Sequence, residues 1–318
     1  MSEGSANKAS EVVLIIVIVG FMAALAMLIP QAREFVFGKG GTGGGGMPGG
    51  EAVAFETQRN KFPMAQYTQL FKKQRFATIE NGYKRVQYFY FSAPARMAAG
   101  TRYPLVVVLH DKAGMAYAPV YLREKRISAD FPAFIVIPQA PLTKIWGSPR
   151  QYSGEEFPSA KQTPATGADG LGDVIDIVAT MADTYPVDPS RIYIVGCDEG
   201  GAGVYGAAVN HPDIFAAGVT MNGMWSYLDS PKMTKMPLLV LQGGGDKVYD
   251  PAFARTMSRA MKSVGAPVDY TELPGVPHEC SDSRLYIHAV WKWLFGKQKQ
   301  MVEPDMTVDV TPAVQPQP

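Results

Sequence analysis

The sequence predicts an α/β domain with a mostly parallel central sheet and helices on both of its faces. Three observations carry this. Short, wholly apolar runs such as Leu105–Leu109 and Ala133–Ile137 suit strands covered on both sides. Helical stripes alternate with strand-like runs through the second half of the chain, the pattern of consecutive β–α–β units. Finally, Arg191–Val195 passes directly into Gly196–Cys197–Asp198–Glu199–Gly200–Gly201, a strand feeding a helix through a glycine-bracketed turn.

The ends of the chain read differently from its middle. Residues 1–11 form a short tail. Val12–Ile29 is uncharged and apolar; at about 1.5 Å per residue it crosses most of a ~30 Å hydrocarbon layer, so residues 12–30 are expected to be a transmembrane anchor. The competing reading is a cleaved signal peptide with Ala24–Leu25–Ala26 as the small-residue site. Glu11 abuts the run and the run continues past Ala26, which favours the anchor. Residues 31–52 hold the glycine tract Gly38–Gly50, a flexible tether. Residues 53–298 form one domain of roughly 240 residues, large enough for a full core. The Pro-, Val- and Thr-rich residues 299–318 read as a disordered tail.

The 318 residues carry 30 Lys and Arg against 29 Asp and Glu, and 47% are hydrophobic. Near-neutral charge gives no electrostatic reason to expect a nucleic-acid partner. Lys8 on one side of the anchor and Arg33 and Lys39 on the other are too few to orient it by charge.

Taken in order, Phe76–Glu80 and Tyr83–Phe91 flank Asn81–Gly82, a hairpin signal. The apolar runs at 105–109 and 133–137 follow. Pro138–Gly170 is a long irregular stretch, and loops of that length usually carry function or disorder. Val174, Ile177, Val178, Met181 and Tyr185 share one helical face that Pro186 stops. After the glycine turn comes a helix to Asn210. Phe215–Met221, Pro237–Leu241 and Pro267–Leu273 are further strands. Phe253, Met257, Met261 and Val264 mark a helix between the second and third, and Ser283–Phe295 a last helix.

In such sheets, sites form at the carboxyl ends of the strands. Three of those ends carry reactive types: Asp198 in the turn, Asp246 after Gly243–Gly245, and His278 after Pro277. The order of elbow residue, acid and histidine is the chain order of an α/β-hydrolase triad. Each alone has a plainer reading: a carboxylate after glycines is often a helix cap, and a loop histidine is often just solvated. Glu199, Asp111, Lys112 and Trp225 lie where they could line the same site. No His, Cys or Glu spacing suggests a metal, and no cofactor motif stands out.

At these residues the chain resembles the α/β-hydrolase esterases of the polyhydroxybutyrate depolymerase and feruloyl esterase type, over roughly Phe76–Phe295. The resemblance rests on Pro104–His110, Val187–Tyr193, the glycine turn, His211–Ala217, the Asp246 loop and His278. It implies that Asp246 orients His278 and that Asp198 stands where those esterases have serine. It also implies a His-Gly at the end of the first core strand, where this chain has His110–Asp111–Lys112; a carboxylate there opposes a developing oxyanion unless Lys112 compensates. Cys197 precedes Asp198, and Cys280 lies two residues past His278. Tannase-like and feruloyl esterases join similar positions by a disulfide, with the second cysteine one residue earlier. The alternatives here are that disulfide, which would suit an extracytoplasmic domain, or two buried thiols.

Asp198 divides the functional readings. A carboxylate attacking an ester would form an anhydride and expel a far more basic alkoxide, so the intermediate collapses backwards. Ordinary serine-esterase activity is therefore not expected. One reading is a non-catalytic hydrolase fold that binds a small ester or glycan, or a protein partner, at the membrane. The other is a hydrolase using Asp198 as nucleophile or water activator with His278 and Asp246. Epoxide hydrolases and haloalkane dehalogenases resemble that arrangement, but they carry a helical cap, for which Asn222–Met236 is too short.

Overall fold

The computed structural model describes residues 70–80, 83–112, 114, 116–140, 144–147 and 168–300. The expected anchor at 12–30 and the tether at 31–52 lie outside them. Among the described residues no helix is long and apolar enough to cross a membrane.

Eight strands form one sheet in the order β1-β2-β4-β3-β7-β8-β9-β10. β1 (Lys72–Glu80) and β2 (Tyr83–Ser92) are an antiparallel hairpin with Glu80 opposite Tyr83, a two-residue connection as the Asn-Gly pair predicts. β2 joins antiparallel to β4 (Phe134–Pro138). From β4 onward every pairing is parallel: β3 (Tyr103–Leu109), β7 (Val187–Cys197), β8 (Ala217–Met221), β9 (Leu238–Gly243) and β10 (Val268–Leu273). A separate two-stranded piece pairs β5 (Lys144–Ile145) with β6 (Ala168–Asp169) inside the long irregular stretch.

Strand alternation divides the core between two faces. On one, Val106, Val108, Ile135, Ile137, Tyr193 and Val195 pack with Leu122 of α1 (Ala118–Leu122), Ile127 of α2 (Lys125–Asp130), and Val290, Trp291 and Leu294 of α6 (His288–Phe295). On the other, α3 (Leu171–Thr184) and α4 (Glu199–Asn210) lie against β7, and α4 reaches β3 and β8. The stripe predicted for α3 is the buried one, Val174, Ile177, Val178 and Met181, while Tyr185 caps the helix and packs on Phe91 and Phe134.

Three local expectations shift. In α5 (Pro251–Ser263) the buried stripe is Ala254, Met257, Ser258 and Met261, so Phe253 is only partly covered and Val264 is exposed. The helix predicted over Ser283–Phe295 is broken at Ile287, whose extended backbone separates a 3-10 turn, Ser283–Tyr286, from α6; Tyr286 O accepts from Trp291 Nε1 at the break. Lys299, read as tail, is held by its N–H to Ser190 O at 2.9 Å and its Nζ to Asp213 O at 2.8 Å.

Register places the site. Leu109 pairs with Gly196, Cys197 with Met221, Met221 with Leu241, and Gly243 with Leu273. The carboxyl ends of β3, β7, β8, β9 and β10 therefore lie level along one edge, and the loops beyond them meet.

Candidate active site

Asp198 sits at the apex between β7 and α4 with φ 55° and ψ −120°. For a residue with a Cβ this backbone costs about 1–3 kcal/mol, and it persists only where its surroundings enforce it. The glycines allow that enforcement: a Cβ on Gly196 would lie 2.1 Å from Gly200 O, and one on Gly200 would lie 2.4 Å from Leu109 O. Strand and helix backbones are in direct contact, so the side chain at 198 is forced outward. Asp198 N–H donates to Met221 O at 3.0 Å, tying the apex to β8.

The structure brings Asp198, Asp246 and His278 together. His278 Nδ1 lies 2.7 Å from Asp246 Oδ2, and His278 Nε2 lies 3.3 Å from Asp198 Oδ1. Asp246 is fixed from several sides. Its side chain is wholly inaccessible. Gln242 Nε2 donates to Oδ2 at 3.0 Å, and the N–H groups of Val248 and Tyr249 donate to Oδ1 at 2.8 Å each. Those last two bonds fold the loop back on its own carboxylate, as Asp side chains do in turns.

This return carries Tyr249 over the centre. Its hydroxyl donates to the Asp198 carboxylate, and its ring stands edge-on to the His278 ring, with centroids 4.7 Å apart. The backbone N–H of Glu199 also donates to that carboxylate. Asp198 thus gathers three donors from three segments of chain.

Charge follows from these contacts. Burial by itself would lower the pKa of His278, but hydrogen bonds and charge from Asp198 and Asp246 outweigh it and raise it to about 9. Burial would likewise raise the Asp198 carboxyl; the bonds from His278, Tyr249 and Glu199 hold it below the usual range instead. Burial and the Asp198 charge push the Tyr249 phenol upward. The His278 ring thus lies between the carboxyl groups of Asp198 and Asp246.

The other expected site residues fall around this core. Glu199 is buried in the first turn of α4, and its charge acts on Tyr249. Asp111 is half-buried, with Tyr117 and Tyr286 feeling its charge, and Lys112 is exposed. Trp225 belongs to a wall: Nε1 donates to Asp229 at 3.1 Å, and the ring packs on Gly147 and Gly206. Cys197 and Cys280 are joined in a disulfide, closing the choice between bond and free thiols. Among the described residues no group of three His, Cys, Asp or Glu could hold a metal ion.

Two contributors were given no role by the sequence reading. Tyr249 gave no signal beyond standing three residues past Asp246. His110 did, as a polar residue ending an apolar run. It is 1% exposed, Nδ1 is 2.8 Å from Asp111 O, and Nε2 is 3.0 Å from Ala140 N. An N–H must donate, so Nε2 is the acceptor and Nδ1 carries the proton. Asp111 O also accepts from Gly114 N–H, which closes the loop after β3.

Known proteins share this framework. Residues 147–235 match the Prolyl oligopeptidase family. A stretch of 139 residues is 31% identical to feruloyl esterase B of Neurospora crassa, covering 42% of this chain and 43% of that protein. The chain therefore spans less than half the length of that curated relative. Among solved structures, a thermostable esterase aligns with a TM-score of 0.61 at 23% identity, over 74% of this chain and 64% of that one. An acylaminoacyl peptidase of Pyrococcus horikoshii aligns with a TM-score of 0.54 at 18% identity, over 75% and 44%. With the sheet order above, these likenesses show an α/β-hydrolase fold.

Proposed function

We propose that this is a membrane-anchored, esterase-like α/β-hydrolase-fold protein in which Asp198 stands in place of a nucleophilic serine, and that its polar centre binds rather than cleaves. The observation that carries the reading is His278 held between two carboxylates. A general base must be neutral to take a proton. With its pKa raised to about 9, only about 1% of His278 is neutral at pH 7. The N–H of the residue after the nucleophile is an oxyanion donor in this fold, and here Glu199 N–H is already given to Asp198. Asp198 therefore engages the oxyanion donor and, together with Asp246, the base.

The ligand fitting this reading is a small ester or glycan, or a protein partner, held near the bilayer by residues 12–30. The disulfide supports an extracytoplasmic domain, because such bonds persist in oxidising compartments. Turnover of a p-nitrophenyl acyl ester tests the central claim in wild type, Asp198→Asn and Asp198→Ser. Wild type and Asp198→Asn should both stay at background, and Asp198→Ser, which releases Glu199 N–H, should gain activity. Wild-type turnover that Asp198→Asn abolishes would overturn the reading.

A second reading is favoured by the apex geometry, since φ 55° presents the carboxylate outward as a nucleophile is presented. In it, Asp198 displaces halide from a saturated carbon, or opens a strained epoxide by breaking a ring C–O bond, and water then hydrolyses the resulting ester to an alcohol and the free carboxylate. Single turnover in isotopically labelled water would place heavy oxygen in Asp198. An unlabelled Asp198 across a panel of halides and epoxides would dismiss it.

A further inference from the structure

We infer that Tyr249 is the positioning residue of this centre: its phenol holds the Asp198 carboxylate against His278. The inference rests on reading the centre as a charged binding site, and it names what maintains that charge. Tyr249 touches all three members of the centre. Its N–H donates to Asp246 Oδ1 at 2.8 Å, its ring edge meets His278, and its hydroxyl donates to Asp198.

The geometry shows why Asp198 needs holding. Asp246 contacts His278 at 2.7 Å, is completely enclosed and has Gln242 and two backbone N–H groups besides. Asp198 contacts His278 at a longer 3.3 Å, and 16% of its side chain is open to water. Its other side-chain donor is Tyr249. Without the phenol, water competes for the carboxylate, and the long contact is the one that yields. Tyr249 is anchored in turn, its backbone by Asp246 and its ring against His278. The acid loop thus positions both partners of His278, one with a carboxylate and one through a phenol.

The charged groups facing His278 are Asp198 and Asp246; those facing Tyr249 are the same two and Glu199. The test follows the His278 ring by NMR titration in the full chain. Tyr249→Phe removes one hydroxyl and keeps the ring and the backbone bond. The His278 midpoint should fall by about 1 or more from its value near 9, because an opposite charge within reach is worth that much, while the variant stays folded. An unchanged or higher midpoint would overturn the inference, since then the phenol only shares the charge of Asp198. A double-mutant cycle adds a second arm. In an Asp198→Asn background, Tyr249→Phe should move the midpoint no further; a full fall there would mean that Tyr249 acts on His278 directly. Failure of the underlying reading looks different: wild-type His278 would titrate near 6.5 before any substitution is made.

Discussion

The Cys197–Cys280 disulfide links the residue before Asp198 to the residue two past His278, so one covalent bond fixes the distance between the two halves of the polar centre. It joins positions 83 residues apart. A disulfide typically stabilises a domain by about 2–4 kcal/mol, and one closing so long a loop lies at the upper end of that range. Replacing both cysteines by serine should lower stability by that amount in urea titrations. The same variant should also move the His278 titration midpoint, because the Asp198 contact is the long one. A variant that loses stability while the midpoint holds would show the bond to be a staple with no part in the centre.

Stability should also depend on pH through His278. Its pKa in the folded chain, about 9, lies above the ordinary 6.5. A group raised on folding contributes fully below its unfolded value and loses that contribution as pH rises through the folded one. The rise corresponds to on the order of 3 kcal/mol, present below about pH 6.5 and gone above about pH 9. Urea unfolding at pH 6, 8 and 10 should show this decline, and His278→Gln should flatten it. The acid side has the opposite sign: Asp198 is lowered on folding, so its contribution is present above the ordinary carboxyl range and fades as pH falls through its folded value.

Most of the framework was legible because it rests on local rules. Apolar runs of five residues gave β3 and β4, a 3.6-residue stripe gave α3, and Asn81–Gly82 gave the register of the first hairpin. The glycine spacing around Asp198 was legible too, since packed backbones leave a composition trace. What escaped depends on three dimensions. Tyr249 reaches Asp198 only because Asp246 curls its loop back, a consequence of side-chain bonds that no periodicity encodes. Ile287 breaks the last helix although the apolar pattern runs through it; its backbone is extended, and Tyr286 O accepts from Trp291 Nε1 there. The bond from Trp225 Nε1 to Asp229 is likewise a contact between side chains that no periodicity encodes.

The contact of Gly196 with Gly200 gives a sharp mutational prediction. A Cβ on Gly196 meets the carbonyl carbon and oxygen of Gly200 at 2.2 and 2.1 Å, and both atoms are backbone. No side-chain rearrangement can relieve this. Gly196→Ala should therefore separate β7 from α4 or fail to fold, costing more than about 4 kcal/mol. Gly172→Ala is the control, because a methyl group there, in α3, would meet nothing within 4 Å. It should keep or slightly raise the thermal midpoint, as alanine favours a helix interior over glycine. Equal soluble yields for the two variants would mean that the apex is not locked.

His110 supplies the last prediction. It is neutral by geometry, donating from Nδ1 to Asp111 O and accepting at Nε2 from Ala140 N–H, while its own carbonyl accepts from Trp146 Nε1 at 2.9 Å. These bonds join the end of β3 to the segment after β4 and to the irregular stretch. His110→Phe keeps the ring volume against Trp146, whose centroid lies 4.8 Å away, but strands the buried Ala140 N–H. An unpaired buried donor costs about 1–3 kcal/mol. The other orphan is milder, since Asp111 O retains Gly114 N–H. His110→Asn can still reach Asp111 O but is too short for Ala140, so it loses ring packing as well and should be the less stable of the two. Urea midpoints for both variants, with an unchanged slope against denaturant, would check the order; a stable His110→Phe would show that Ala140 N–H finds another acceptor.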